Sequence, residues 1–192
     1  MKQFVLATAL LALSAPFALA QASTWASDPA HSEVDFSIKH MSVSNVHGRF
    51  GKVNATISLN AADITKSIVI ATIDTTTVDT GEPARDTHLK TDAFFDVAKF
   101  PTATFTSTGV TKSGSNLKVT GNLTLHGVTK EVVLDVEAPG SPIESPMDHK
   151  QHSGFSATTT VSRTAFGIGS KFPAAVLGDD VKLTIELEVV KQ

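Results

Sequence analysis

The chain of 192 residues contains no cysteine. That absence excludes disulfides, thiolate nucleophiles and cysteine-ligated metal sites together. Without disulfides an exported protein must be held by its core, and roughly 170 residues bury enough apolar surface for that. Basic runs are missing as well. Lys and Arg number 16 against 19 Asp and Glu, a formal charge of −3, which disfavours nucleic acid and electrostatic adhesion to anionic lipid. No apolar run reaches the ~20 residues that span a bilayer. The first such run, Phe4 to Leu13, follows Lys2 and precedes Pro16 and Ala18-Leu19-Ala20. A positive start, a short apolar stretch and a small-x-small site predict a signal peptide over 1–20, cut after Ala20, with a second site after Ala22. No cysteine follows either cut, so a lipoprotein anchor is excluded. The mature domain, 21–192, is expected to be exported and soluble, without stable membrane insertion.

Catalytic signatures are equally scarce. There is no G-x-S-x-G elbow and no H-E-x-x-H, and Gly167-Ile168-Gly169 departs from the phosphate-loop pattern. His149 and His152 sit three apart in a proline-containing loop, and His40 and His47 flank a bend. No acidic residue is spaced to complete a metal site with either pair, although Asp148 adjoins His149, so no metal is expected. Asp86 and His88, two apart, have the makings of an oriented general base, but no nucleophile stands beside them.

What the sequence does have is alternation. Val34, Phe36, Ile38 and His40 alternate with polar residues, as do Val53, Ala55, Ile57 and Leu59. Residues 67–76 are apolar on both faces. Ala103 and Phe105 follow, then Leu117, Val119, Gly121, Leu123 and Leu125. A turn at His126-Gly127 leads to Val128, Val132, Leu134 and Val136. The seventh run holds Phe155, Ala157, Thr159 and Val161, and the eighth Val181, Leu183, Ile185, Leu187 and Val189. A period of two with one wet face is the antiparallel pattern. Eight long amphipathic strands suit an up-and-down barrel, although a two-sheet sandwich has the same alternation.

Three stretches break the pattern. Residues 82–101 open with Pro83, a helix-start signal, offer Thr91 as the cap of a second turn, and gather Phe94, Phe95 and Phe100, enough to plug a barrel end. Residues 139–151 carry Pro139, Pro142 and Pro146 and read as a surface loop. Residues 163–180 lack strand pattern yet keep Phe166, Phe172, Val176 and Leu177, as loop packing or as a lid over an apolar mouth. His40 lies in phase with the apolar face of its strand, and burial there would demand a hydrogen-bond partner, ligand or protein.

Four segments in order resemble the YceI-like family. They are Asp28-Pro29-Ala30-His31-Ser32 running into Val34-x-Phe36-x-Ile38-x-His40 with Gly48-Arg49-Phe50 beyond; Thr75 followed by Arg85-Asp86-Thr87-His88-Leu89, Phe94-Phe95-Asp96 and Pro101-x-x-x-Phe105; Gly121-x-Leu123-Thr124-Leu125-His126-Gly127-Val128-Thr129-Lys130; and Arg163-x-x-Phe166-Gly167-Ile168. No Gly-x-Trp stands near the N-terminus, unlike the lipocalins proper. The resemblance implies an all-β fold: an eight-stranded antiparallel lipocalin-like barrel with a short helical insert between the third and fourth strands. It further implies a periplasmic location, no cofactor, and a non-catalytic role in binding an isoprenoid lipid, either a polyprenyl phosphate or a quinone, as monomer or homodimer.

On that reading the lumen is lined by Val34, Phe36, Ile38, Val53, Ile57, Phe105, Val119, Leu123, Val132, Leu134, Phe155, Leu183, Ile185 and Leu187. Polar groups at the mouth are His31, His40, Arg85, His88 and Arg163. Two other functions fit the same residues: a barrel enzyme acting through Asp86 and His88, and an interaction module with a filled core.

Overall fold

The computed structural model describes residues 22–192, so the expected signal peptide and its cleavage site lie outside the described residues. The strands are β1 (Ser23–Ser27), β2 (Glu33–His40), β3 (Ser44–Phe50), β4 (Val53–Leu59), β5 (Ile68–Asp74), β6 (Thr102–Ser113), β7 (Asn116–Leu125), β8 (Val128–Val136), β9 (Ile143–Glu144), β10 (Gln151–Ser162) and β11 (Leu177–Lys191). Among the described residues one α-helix, α1 (Pro83–Leu89), lies between β5 and β6, with short 3-10 turns at Ile64–Lys66, Thr75–Thr77 and Thr164–Phe166.

Register shows how ten of the eleven strands make eight staves, β9 pairing only with the start of β10. β2 pairs with β3 through Val34↔Phe50 and His40↔Ser44, and β1 pairs with β4 through Ser23↔Leu59 and Ala26↔Thr56. β1–β2 and β3–β4 are thus two long staves, each broken once. The first break, residues 28–32, is held to β11 by Asp28 N donating to Glu188 O at 2.8 Å and by Ser32 Oγ donating to the same carbonyl at 3.2 Å. Antiparallel pairing then runs β4–β5–β6–β7–β8–β10–β11. β11 closes the ring by pairing with β2 (Leu183↔Phe36) and with β1 (Ser27↔Val189) on its other side. The result is a closed eight-stave antiparallel barrel, joined between β8 and β10 by only Val136↔Ala157 and Asp135↔Thr158.

Each expected strand corresponds to one stave, while β1, β3 and β9 were not anticipated. β3 reads SNVHGRF, and its inward positions are Val46, Gly48 and Phe50. The glycine interrupts the apolar period because its space is already taken: a Cβ at Gly48 would collide with the ring of Phe36, its cross-strand partner. Gly121 on β7 carries the ring of Phe105 in the same way. Such aromatic-over-glycine pairs fill an inner wall where a tightly curved barrel has no room for two side chains. The ambiguous run at 67–76 resolves with Ala71 buried and Ile68 and Ile70 exposed.

Two regions of packing follow. At one end Trp25, Ile57 and Val189 form a buried cluster, with Val189 0% exposed. The other end is roofed by α1 and its following turns, and by residues 163–176. Glu82 caps α1 by accepting from Ala84 N at 3.3 Å, with Pro83 in the first turn, where no N–H is needed. Thr91 Oγ1 donates back to His88 O at 2.8 Å, and turns carry the chain on to β6.

Candidate functional site: an apolar cavity under a pinned lid

A cavity of about 340 Å³ opens at the α1 end. Its wall comes mainly from inward residues of β2, β3 and β11, among them Phe36 and Ile38 on β2, Phe50 on β3, and Val181 and Leu183 on β11, with Val161 of β10 and Leu125 of β7. Its roof comes from Leu89, Phe94 and Phe95 of the insert, and from Phe166, Ile168 and Phe172 of the 163–176 loop. The two roof segments are locked together. Phe94 and Phe172 stack at 5.4 Å, and Gly169 N donates to Ala93 O at 3.1 Å. At Gly169, with φ of 57°, a Cβ would press within 2.9 Å of the Phe94 ring.

Arg163 holds this roof. It is only 3% exposed, and its guanidinium donates to five main-chain carbonyls. Nε reaches Gly178 O at 2.9 Å, Nη1 reaches Ile168 O at 3.0 Å and Gly169 O, and Nη2 reaches Phe172 O at 2.7 Å and Leu177 O at 2.8 Å. A buried cation is tolerable only when its donors are all met. Here three are met by the loop, at Ile168, Gly169 and Phe172, and two by Leu177 and Gly178 at the start of β11. Asp179 stands close by and accepts from Ser162 Oγ, Thr164 Oγ1 and Thr164 N. Those bonds, with a smaller contribution from the Arg163 charge, lower its pKa below the ordinary carboxylate value.

The polar residues expected at the mouth divide by position. His40, Arg85, His88 and Arg163 all border the cavity. His40 has the expected phase, but it sits at the end of β2 and is exposed, so the anticipated need for a buried partner does not arise. Arg85 is half-buried, with Nε donating to Thr80 Oγ1 at 2.7 Å and Nη2 to Thr80 O at 2.9 Å. Its Nη1 has no hydrogen-bond partner among the described residues. His88 sits edge-on to Phe94 at 5.0 Å. Asp86 accepts from Thr80 N at 2.9 Å and from Thr80 Oγ1. No bond joins Asp86 to His88 among the described residues, so the oriented-base arrangement is not formed there.

His31 lies elsewhere. Its Nδ1 is 2.8 Å from Asp28 Oδ2 and 3.9 Å from Glu188 Oε2, and Glu188 is roughly 23 Å along β11 from Val181. His152 joins the same group, 2.8 Å from Glu188 and 3.1 Å from Asp148. Hydrogen bonds to these carboxylates raise the pKa of both histidines, His31 through Asp28 and His152 through Glu188 first. Asp148 is lowered to about 2, mainly by accepting from Lys150 N.

The expected lumen residues also separate. Phe36, Ile38 and Leu183 line the large cavity. Ile57, Val119, Leu134, Phe155, Ile185 and Leu187 line a second, wholly apolar space of about 70 Å³ nearer the Trp25 end. Val34, Val53, Phe105, Leu123 and Val132 border neither. Their places along the strands put them between the two spaces, as a packed partition. Val46, Phe50, Val161 and Val181 complete the wall of the large cavity without having been expected there. Of the roof, Phe94 and Phe95 come from the segment expected to plug a barrel end, and Phe166 and Phe172 from the one read as loop packing or a lid.

A closed barrel, packed at one end and hollow and apolar at the other, defines a lipocalin-like calyx. The description of a YceI-like domain matches residues 25–189, and the chain belongs to the YceI-like family. It is similar to a UPF0312 protein of Vibrio cholerae, 37% identical over 193 residues that span 98% of this chain and 97% of the relative. The crystal structure of the Campylobacter jejuni YCEI protein superposes with a TM-score of 0.71 at 35% identity, covering 81% of this chain and 90% of that one. A polyisoprenoid binding domain from Saccharophagus degradans shares the fold at 16% identity, with a TM-score of 0.64 over 89% of this chain and 99% of that one.

Proposed function

We propose that this protein is a non-catalytic carrier for a long isoprenoid lipid, exported to the periplasm by residues 1–20 and holding the lipid tail in the barrel. The observation that carries the reading is the apolar cavity of about 340 Å³ beneath a roof that also bears Arg85. Its size is within the ~300–1,000 Å³ of small-molecule sites. The polyisoprenoid binding domain named above, which has the same fold, supports the chemical class of ligand.

A cavity of this size takes part of a long isoprenoid tail, each buried carbon being worth about 0.8 kcal/mol before the cost of ordering the tail. A longer tail must displace the partition at Phe105 and Leu123 to enter the second space. Arg85 supplies the head-group contact: Thr80 holds two of its nitrogens, leaving Nη1 to meet a phosphate oxygen.

Denaturing the purified protein, extracting with organic solvent and analysing the extract by mass spectrometry tests the reading. The expected result is an intact isoprenoid lipid at near one per chain. An extract without lipid, from protein that also fails to take up polyprenyl phosphate or quinone, contradicts it. N-terminal sequencing of protein exported by a Gram-negative host is expected to begin at Gln21, with Ser23 the alternative.

A further inference from the structure

Beside the mouth, the turn joining β2 to β3 carries two large apolar residues in water: Met41 is 53% exposed and Val43 81%. The backbone makes Met41 a costly choice. Met41 and Ser42 have φ of 51° and 60°, and Val43 N donates to His40 O at 3.1 Å. A hairpin turn with two left-handed residues favours Asn-Gly or Asp-Gly. A methionine there bears steric strain, and its exposure shows little packing within the chain in return.

This turn forms one lip with the roof loop. Met41 N donates to Val176 O at 2.7 Å, and Ser42 Oγ to Ala175 O at 3.3 Å. Pro173, Ala174 and Ala175 are exposed alongside. His40, Val46 and Val176, adjoining the lip in sequence, line the large cavity. Residues 36–50 and 164–178 contain no Asp or Glu, yet include Lys39, Arg49 and Lys171. Arg49 is paired with Glu33 and Asp79. Lys39 and Lys171 have no carboxylate partner among the described residues. The insert across the mouth carries both signs. The other exposed apolar loop, with Ile143 and Met147, contains Glu144 and Asp148 and lies toward the packed end.

From this conjunction we infer that the Met41–Val43 lip docks the mouth onto an anionic bilayer surface, so that a lipid passes between membrane and cavity without crossing water. The inference rests on the lipid-carrier reading. Apolar side chains reach the headgroup boundary while lysines meet anionic headgroups, as in other interfacial anchors. The net negative charge of the whole chain does not oppose this, because the turn 41–43 and the exposed 173–175 segment carry no carboxylate themselves, Asp179 and Asp180 stand in the β11 bulge opposite Lys39, and screening limits the reach of more distant ones.

Flotation with vesicles of phosphatidylethanolamine and phosphatidylglycerol tests the inference, with phosphatidylcholine vesicles for comparison. Wild type is expected to float with the anionic vesicles, less so at raised salt. M41D/V43D is expected to lose roughly tenfold or more in vesicle binding. Aspartate suits the left-handed turn at least as well as methionine, so melting temperature and retention of lipid loaded from detergent should stay unchanged. I143D/M147D should float as wild type does. The inference fails if M41D/V43D floats like wild type, or if lipid-loaded wild type does not float. It fails likewise if the lip instead captures a protein that M41D/V43D releases while vesicles are ignored. Wild type that floats yet yields no isoprenoid on extraction would overturn the carrier reading and leave the lip standing as a membrane-docking surface.

Discussion

The two ends of the barrel share its eight staves and differ in what covers them. The Trp25 end is closed by its own strands, with Trp25 opposite Ile57 and Val189 packed against them from β11, where it stands opposite Ser27. The α1 end is covered by two non-strand segments, and in one of them, the 163–176 loop running into β11, five carbonyls are gathered by one buried arginine. Packing that follows strand register fills its space, whereas packing by a pinned loop leaves a hollow beneath. The cavity of about 340 Å³ is therefore at the α1 end, and a space of about 70 Å³ lies toward the other.

Removing the pin is the strongest way to break this contrast. Arg163→Ala leaves five carbonyls without their donor and is expected to cost about 4 kcal/mol. Thermal melting measures the loss, and amide exchange should rise in residues 163–177 while β1 and the end of β11 stay protected. A uniform rise through both ends would show that the roof is not a separate unit.

Ile185→Asp probes the barrel wall between the ends. Ile185 faces the small apolar space, and an unpaired carboxylate there should cost about 3 kcal/mol and abolish lipid retention. Glu186, its neighbour on the outer face, is exposed and accepts from Ser156 Oγ. Glu186→Lys should shift stability by no more than about 0.5 kcal/mol. Equal shifts in melting temperature would refute the assigned phase of β11.

A subtler change separates head group from tail. Arg85→Ala is expected to release a polyprenyl phosphate roughly tenfold faster, while a quinone of equal tail length leaves at its former rate. Stopped-flow dissociation of the two ligands compares them. Equal acceleration would mean that Arg85 only ties the insert to Thr80.

The smallest expected effect lies at the packed end, in the contacts of His152 with Glu188 and Asp148. The raised pKa of His152 means its contribution is present while the histidine is charged, and is lost as pH climbs through that raised value. Asp148, lowered to about 2, contributes above its unfolded pKa and loses that contribution only in strong acid. Between those limits the loop at 139–150 should be held most firmly. Limited proteolysis of that loop should therefore be slower at about pH 5.5 than at about pH 8.5, and His152→Gln should remove the difference.

The staves were legible because strand alternation is strict wherever one face meets a core, as in Leu183, Ile185 and Leu187. β3 was hidden because Gly48 yields its inward space to Phe36, a contact made across strands that no period records. Periodicity gave His40 its face but not its depth, since depth depends on where the pairing ends. Arg163 was visible as a charged residue at the mouth. Its role as a pin was not, because its carbonyl partners, Ile168 to Gly178, follow no regular spacing. The resemblance to the YceI-like family supplied the choice of barrel over sandwich, and the pairing of β11 with both β10 and β2 bears that out.

Photo-crosslinking with a polyprenyl phosphate bearing a diazirine near its head, with adducts located by peptide mass spectrometry, asks whether an isoprenoid tail lies in the hollow at the α1 end. Adducts are expected on cavity residues such as Phe36, Phe172 and Leu183. Adducts confined to the outer-face residues Ile68 and Ile70, or to the loop around Met147, would contradict that placement.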